Sequence, residues 1–104
     1  MKKNKKYSNL PDITFKNADK IEYRIVWKEP RKSYKASGLC DSPDSKKPEI
    51  WVDPNLEEKR FLEVLAEEMC HAHMWDKNEK TVRRFAFNLK KILYKLGWSR
   101  KIKK

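Results

Sequence analysis

The chain has 104 residues, of which 38% are hydrophobic and 39% are charged, and its formal net charge is +11. This length suits one domain with a modest core, and four Trp, four Tyr and four Phe argue against global disorder. No apolar run approaches the length of a membrane span, no apolar stretch follows the lysine-rich start to form a signal peptide, and only two cysteines occur. These features predict a cytoplasmic protein with reduced thiols and no membrane partner.

The first residues predict a loose start followed by a strand. Residues 1–19 are polar and lysine-rich, and we expect a basic, partly flexible N-terminal segment with Leu10, Ile13 and Phe15 as anchors. Residues 21–27 alternate, with the apolar Ile21, Tyr23, Ile25 and Trp27 on one side, which is typical of a half-buried strand.

A second strand is predicted after a long connection. Residues 28–48 combine prolines, a glycine, serines and charges, a composition typical of a connection, with a brief pairing around Leu39 and Cys40. Residues 50–52 are Ile-Trp-Val and predict a short strand.

Two helices are predicted in the second half. Asn55, followed three residues later by Glu58, resembles a capping box at the start of the first helix. Its core stripe is predicted to be Leu62, Leu65, Met69 and Ala72. The apolar face of the second helix is predicted to be Val82, Phe85, Ala86, Leu89, Leu93 and Leu96, before a stop at Gly97. The sequence therefore predicts an α+β domain over residues 20–98, with a small antiparallel sheet packed against two C-terminal helices, and a basic tail at 99–104.

Residues 67–72 read EEMCHA and match the zinc-protease helix motif HExxH, except that Glu67 replaces the first histidine. Glu67 and His71 are one helical turn apart, so they project from the same face. Glu68 takes the position of the glutamate that activates water. A carboxylate binds zinc at ~2.0–2.2 Å, so position 67 still offers a ligand atom. It also lowers the Lewis acidity of the ion and favours harder ions such as Mn²⁺, so we expect weaker hydrolysis.

Two other interpretations of this segment stay open. EExxH strings also occur on ordinary solvated helices. Cys40, Cys70 and His73 can be combined with His71 into a Cys/His zinc site, although the chain lacks the CxxC pair that structural zinc sites use.

The surroundings of the motif resemble the minimal zincin metallopeptidases, and in particular small proteins of tailed phages. In those proteins an LxxxxHExxHA helix precedes a Trp-Asp pair, an acidic residue and a helix ending Leu-Gly-aromatic. The corresponding segments here are 62–72, Trp75-Asp76, Glu79 and 96–98. Upstream, the strand, the Gly-Leu-Cys-Asp loop at 38–41 and the short strand that follows it extend the resemblance back to residue 21.

This resemblance implies a zincin-like core and a metal-dependent peptidase. The ligands would be Glu67, His71 and Glu79, with Asp76 as the alternative third ligand, and Glu68 would be the general base. The segment EKTVRRFA, which begins at Glu79, is similar to the ExxAxxFA stretch that supplies a glutamate ligand in one zincin branch. The implied cofactor is zinc or another divalent cation such as Mn²⁺, or none if the site is vestigial. The implied substrate is a peptide or protein, and a phage protein of this kind would act in the host cytoplasm.

The charge distribution supports a second, non-enzymatic hypothesis. Residues 1–6 carry four lysines and residues 90–104 carry seven basic residues, both without an acid, whereas residues 7–89 are balanced. Basic ends can bind a nucleic acid through counterion release, or an acidic host protein. The domain would then be a binding module. Solvation of the termini would explain the same composition.

Overall fold

A computed structural model of the chain describes residues 10–31 and 36–100, and these ranges form one α+β domain. The strands are β1 (Ile13–Lys16), β2 (Glu22–Trp27), β3 (Gly38–Cys40) and β4 (Glu49–Val52). The helices are α1 (Glu58–His73) and α2 (Glu79–Lys95). The predicted α+β class is therefore confirmed. In the described ranges no helix is long and apolar enough to cross a bilayer.

The four strands form one mixed sheet in the order β1-β2-β4-β3. β1 pairs antiparallel with β2, and β3 pairs antiparallel with β4. The predicted wholly antiparallel sheet is wrong in one pairing, because β2 and β4 run parallel, with Ile25 opposite Ile50. Because β2 and β4 are parallel, the chain has to return to the opposite end of the sheet after β2 before it enters β4. β3 belongs to this connection.

The core lies between the sheet and α1. One cluster joins Tyr23, Ile25 and Ile50 of the sheet to Ala72 of α1. A second cluster is Val52, Phe61 and Val64. The predicted inward side of β2 is thus correct, since its alternate residues Tyr23 and Ile25 are buried.

The second helix packs mainly on α1 rather than on the sheet. Val82 and Ala86 are its two buried residues. Phe85 was predicted to belong to the core face, but its side chain is 49% exposed. A single helix neighbour covers a narrower strip than a sheet would, so the flank of the apolar face of α2 stays outside the core.

The first helix begins two residues later than a capping box at Asn55 would place it. Its N-cap is Glu57, whose carboxylate accepts the backbone N–H groups of Lys59 and Arg60. The backbone N–H of Asn55 instead donates to the carboxylate of Asp53, in a turn that precedes the helix.

The hairpin of β1 and β2 is tied to the end of α1. Its turn residue Asn17 is buried, accepts the N–H groups of Asp19 and Ile21, and donates to the carbonyl of Ala72 at 3.1 Å. β1 uses Ile13 and Phe15, two of the predicted anchors, and lies inside the segment 1–19. Residues 1–9 of the predicted flexible segment and residues 101–104 of the predicted basic tail lie outside the described residues.

Candidate functional site

A groove runs along the side of α1 between the edge strand β3 and the start of α2. It consists of two adjoining cavities of about 400 and 430 Å³. Gly38 of β3, Glu68 of α1 and Glu79 of α2 line both cavities. Three separate segments therefore bring the EEMCHA motif and the predicted third ligand to one surface.

Glu68 is the most unusual side chain in the groove. It is 8% exposed, and it has no hydrogen-bond or ion-pair partner among the described residues. Burial, followed by the negative charges of Glu67 and Glu79, raises the pKa of Glu68 from 4.5 to about 8. The carboxyl group can therefore hold or release a proton close to neutral pH.

Gly38 is what allows Glu68 to sit under the edge strand. A Cβ atom on Gly38 would lie 2.8 Å from Oε2 of Glu68 and 2.6 Å from Cγ1 of Val64. Both distances are too short for non-bonded atoms, so only glycine permits this close approach. The sequence contained a signal for this contact, since a glycine inside a strand often marks the close approach of another group.

The imidazole of His71 meets the carboxylate of Glu79. Nε2 of His71 lies 2.8 Å from Oε1 of Glu79, and the ring of Trp75 covers the imidazole edge-on at 6.5 Å between centroids. The other oxygen of Glu79 is 3.8 Å from the guanidinium of Arg83. The structure thus brings two of the three predicted ligands together. Asp76, the alternative third ligand, is exposed and does not line the groove.

The third predicted ligand, Glu67, faces the groove but is held by a cation of its own helix. Its Oε2 lies 3.6 Å from the guanidinium of Arg60, which also contacts Glu63 at 3.5 Å. Burial raises the pKa of Glu67 and the charge of Arg60 opposes this effect. Glu63 in turn contacts the ammonium of Lys90 at 3.4 Å, which joins α1 to α2. Arg60 therefore offsets the like charges of Glu63 and Glu67, which lie one helical turn apart.

The groove contains carboxylate oxygens and an imidazole nitrogen, which are atoms that bind divalent cations. In this structure, however, these atoms contact one another or the guanidinium groups of Arg60 and Arg83. In the described ranges no three His, Cys, Asp or Glu side chains converge as a metal-binding group. Glu67, His71 and Glu79 could hold an ion if Glu67 left Arg60. The carboxylate and imidazole ligands suit zinc or a harder ion such as Mn²⁺.

The alternative Cys/His site is not assembled. The ring of His73 stacks on Phe15 at 5.6 Å, on the β1 side of α1. Cys70 is buried, and Cys40 is half-buried beside Tyr23, where burial raises the pKa of its thiol to about 12. Burial also raises the pKa of the Cys70 thiol, so both thiols stay protonated near neutral pH in the metal-free protein.

Some of the basic residues predicted to bind nucleic acid are engaged within the domain. Lys90 pairs with Glu63 and lies over the ring of Phe87. The guanidinium of Arg100 lies over Phe61, and its backbone N–H donates to Glu58. Lys91 and Lys95 are exposed.

Comparison with protein-family models, with curated proteins and with solved structures gave no match. The zincin-like core, the ligand set and the role of Glu68 therefore stay predictions.

Proposed function

We propose that the protein is a metallopeptidase-like protein with an altered ion site, and that it acts on an extended peptide bound in the groove over Glu68. The observation that carries this proposal is the buried carboxyl of Glu68, which has no partner in the described residues and faces the groove beside the His71–Glu79 pair. A buried carboxyl with a pKa near neutrality is typical of a group that transfers protons.

Glu68 would act as the general base. Its carboxyl group is largely protonated at neutral pH in the free protein, because its pKa is about 8. A positive charge or a hydrogen-bond donor that enters the groove would lower this pKa and release the proton. The carboxylate formed in this way could then accept a proton from an attacking water molecule.

The remaining groups would position the reactants. Glu67, His71 and Glu79 are the candidate ligands of a divalent ion, which would supply Lewis acidity toward the carbonyl of the substrate. β3 is the edge strand on the groove side of the sheet, and an edge strand can pair with an extended peptide through backbone hydrogen bonds. Trp75 would limit the access of water to His71.

Ion binding can be tested without any assay of activity. We expect Zn²⁺ or Mn²⁺ to raise the melting temperature of the wild-type protein and to release protons, measured by titration calorimetry in buffers of different ionisation enthalpy. His71→Ala and Glu79→Gln should abolish both responses. His73→Ala is the matched control, because this second imidazole lies outside the groove and its loss should leave the responses intact. Equal melting temperatures with metal and with chelator would exclude the ion site.

The role of Glu68 needs a separate comparison. Glu68→Gln should still bind the ion but release fewer protons, and it should lack any hydrolysis of a quenched-fluorescence peptide library. Glu67→His, which restores HExxH, should tighten zinc binding and increase hydrolysis, because a neutral ligand leaves the ion more Lewis-acidic and no longer pairs with Arg60. If Glu67→His does not tighten zinc binding, position 67 is not a ligand position.

A further inference from the structure

A second concave surface lies at the opposite end of the helix pair and shares no lining residue with the groove over Glu68. This end groove has a volume of about 520 Å³ and lies between β1, the start of α1 and the end of α2. Its walls are almost wholly apolar, with Pro11, Leu62, Leu93 and Trp98 among the lining residues. It is therefore independent of the proposed catalytic function.

The end of α2 is fixed in a way that displays apolar side chains. Gly97 adopts a φ of +94°, and the backbone N–H of Trp98 donates to the carbonyl of Leu93 at 3.0 Å. The N–H of Gly97 donates to the carbonyl of Tyr94, which completes a Schellman motif. This motif places Trp98 beside Leu93 at the end groove, yet the side chain of Trp98 is still 65% exposed.

A row of apolar residues, three of them exposed, runs along α2, the helix whose end lines the end groove. The α2 apolar row consists of Phe85, Leu89, Ile92 and Leu96, which recur at alternating spacings of four and three residues and so lie on one side of the helix. Phe85, Ile92 and Leu96 are 49%, 55% and 70% exposed. Single exposed apolar residues are ordinary, but a row of this spacing is typical of a helix that packs against another helix.

A row of positive charge runs beside the α2 apolar row. This basic row consists of Arg84, Lys91 and Lys95, which are all exposed and share one face of α2. No acidic residue follows Glu79 in the sequence. Two copies of the chain packed through this surface would bring their basic rows together, so self-association is disfavoured. An acidic partner would be attracted.

We propose that the end groove and the α2 apolar row bind an acidic amphipathic helix of another protein. A helix with apolar residues at the same alternating spacing would pack along the α2 apolar row and place its acidic flank against the basic row. The concave shape of the end groove favours an inserted helix over a flat bilayer.

The test uses synthetic peptides and the full chain. The first labelled peptide of ~18 residues carries leucines at alternating spacings of three and four, with glutamates on both flanks of the leucine row. The second peptide keeps the leucines and has lysine in place of each glutamate. We expect the acidic peptide to bind at least about tenfold more tightly in fluorescence anisotropy, and to weaken as salt is added. Equal binding of both peptides, or binding of neither, would overturn the proposal.

Variants identify the surface. Ile92→Gln with Leu96→Gln should weaken binding of the acidic peptide at least about tenfold, because both side chains lie in the α2 apolar row. Phe87→Gln is the matched control, since Phe87 is 39% exposed on another side of α2 and glutamine adds no charge beside the basic row, and it should change the affinity less than about twofold. Arg84→Glu with Lys95→Glu should reverse the preference toward the lysine peptide without disturbing any buried residue.

Other occupants of the surface give distinct results. A concentration-dependent dimer in analytical ultracentrifugation that Ile92→Glu abolishes would replace the proposal with self-association. Membrane binding would replace the proposal if two results were obtained together. The protein would float with vesicles of phosphatidylserine and phosphatidylcholine and lose this property in Ile92→Glu, and it would bind the two peptides equally. An equal loss of peptide binding in Phe87→Gln would also refute the proposed surface.

Discussion

Glu68→Gln should remove a large pH dependence of stability. In the folded protein the pKa of Glu68 is about 8, whereas its ordinary value is 4.5. Between these two values the folded state holds the proton and the unfolded state has lost it. The free energy of unfolding of the wild-type protein therefore falls as pH rises through this window, and it is highest below pH 4.5 as far as Glu68 is concerned. Glutamine has a similar shape and does not ionise.

The magnitude follows from the two pKa values. Each pH unit in the window lowers the free energy of unfolding by about 1.4 kcal/mol, because one more bound proton distinguishes the folded from the unfolded state. Between pH 5 and pH 8 the stability of the wild-type protein relative to Glu68→Gln should therefore fall by about 3.5 kcal/mol. A constant offset caused by the exchange of oxygen for nitrogen cancels in this comparison.

Urea denaturation followed by tryptophan fluorescence measures the effect at pH 5, 6.5 and 8, and the dependence on urea shows whether the unfolding transition stays two-state. Glu22→Gln is the control for loss of a negative charge, because Glu22 is exposed on β2. The Glu22→Gln variant should keep the pH dependence of the free energy of unfolding that the wild-type protein shows. A stability difference between wild type and Glu68→Gln that varies by less than about 1 kcal/mol from pH 5 to pH 8 would refute the reasoning on Glu68.

Three further predictions concern the fold around the two grooves, each measured as the free energy of unfolding. Gly38→Ala should destabilise the protein by about 1–3 kcal/mol, because the added methyl group overlaps Val64 and Glu68. Gly97→Ala should cost about 1 kcal/mol through backbone strain alone, since nothing lies within 4 Å of the new atom, and Gly97→Asn should cost less. Asn17→Ala should cost about 2–4 kcal/mol, because it removes three hydrogen bonds, one of them from the hairpin turn to α1.

Local patterns predicted the parts of this structure that depend on short-range geometry. The alternation in β2 identified Tyr23 and Ile25 as buried, since successive side chains of a strand point to opposite faces. The helical spacing of Glu67 and His71 correctly predicted that both side chains project from the same face of α1. Each of them lines one of the two cavities of the groove. His71 also contacts Glu79, the other residue predicted to be a ligand, and the role of both as ligands stays a prediction.

Features that depend on the tertiary arrangement could not be predicted in the same way. The parallel pairing of β2 with β4 depends on the path of residues 28–48, which local pattern does not determine. The exposure of Phe85 depends on how much of α2 its neighbour covers, whereas periodicity shows only which face is apolar.

The burial of Glu68 has a cost that a structural role does not explain. A domain of this size has a net stability of about 5–15 kcal/mol, and ionisation of Glu68 at pH 8 would remove about 4 kcal/mol of it. Glutamine or leucine at position 68 would avoid this loss. Arg60, which contacts Glu63 and Glu67, does not pair with Glu68. A carboxyl group kept in this state can exchange its proton with a molecule in the groove, and a residue that only filled space would gain nothing from titrating near neutral pH.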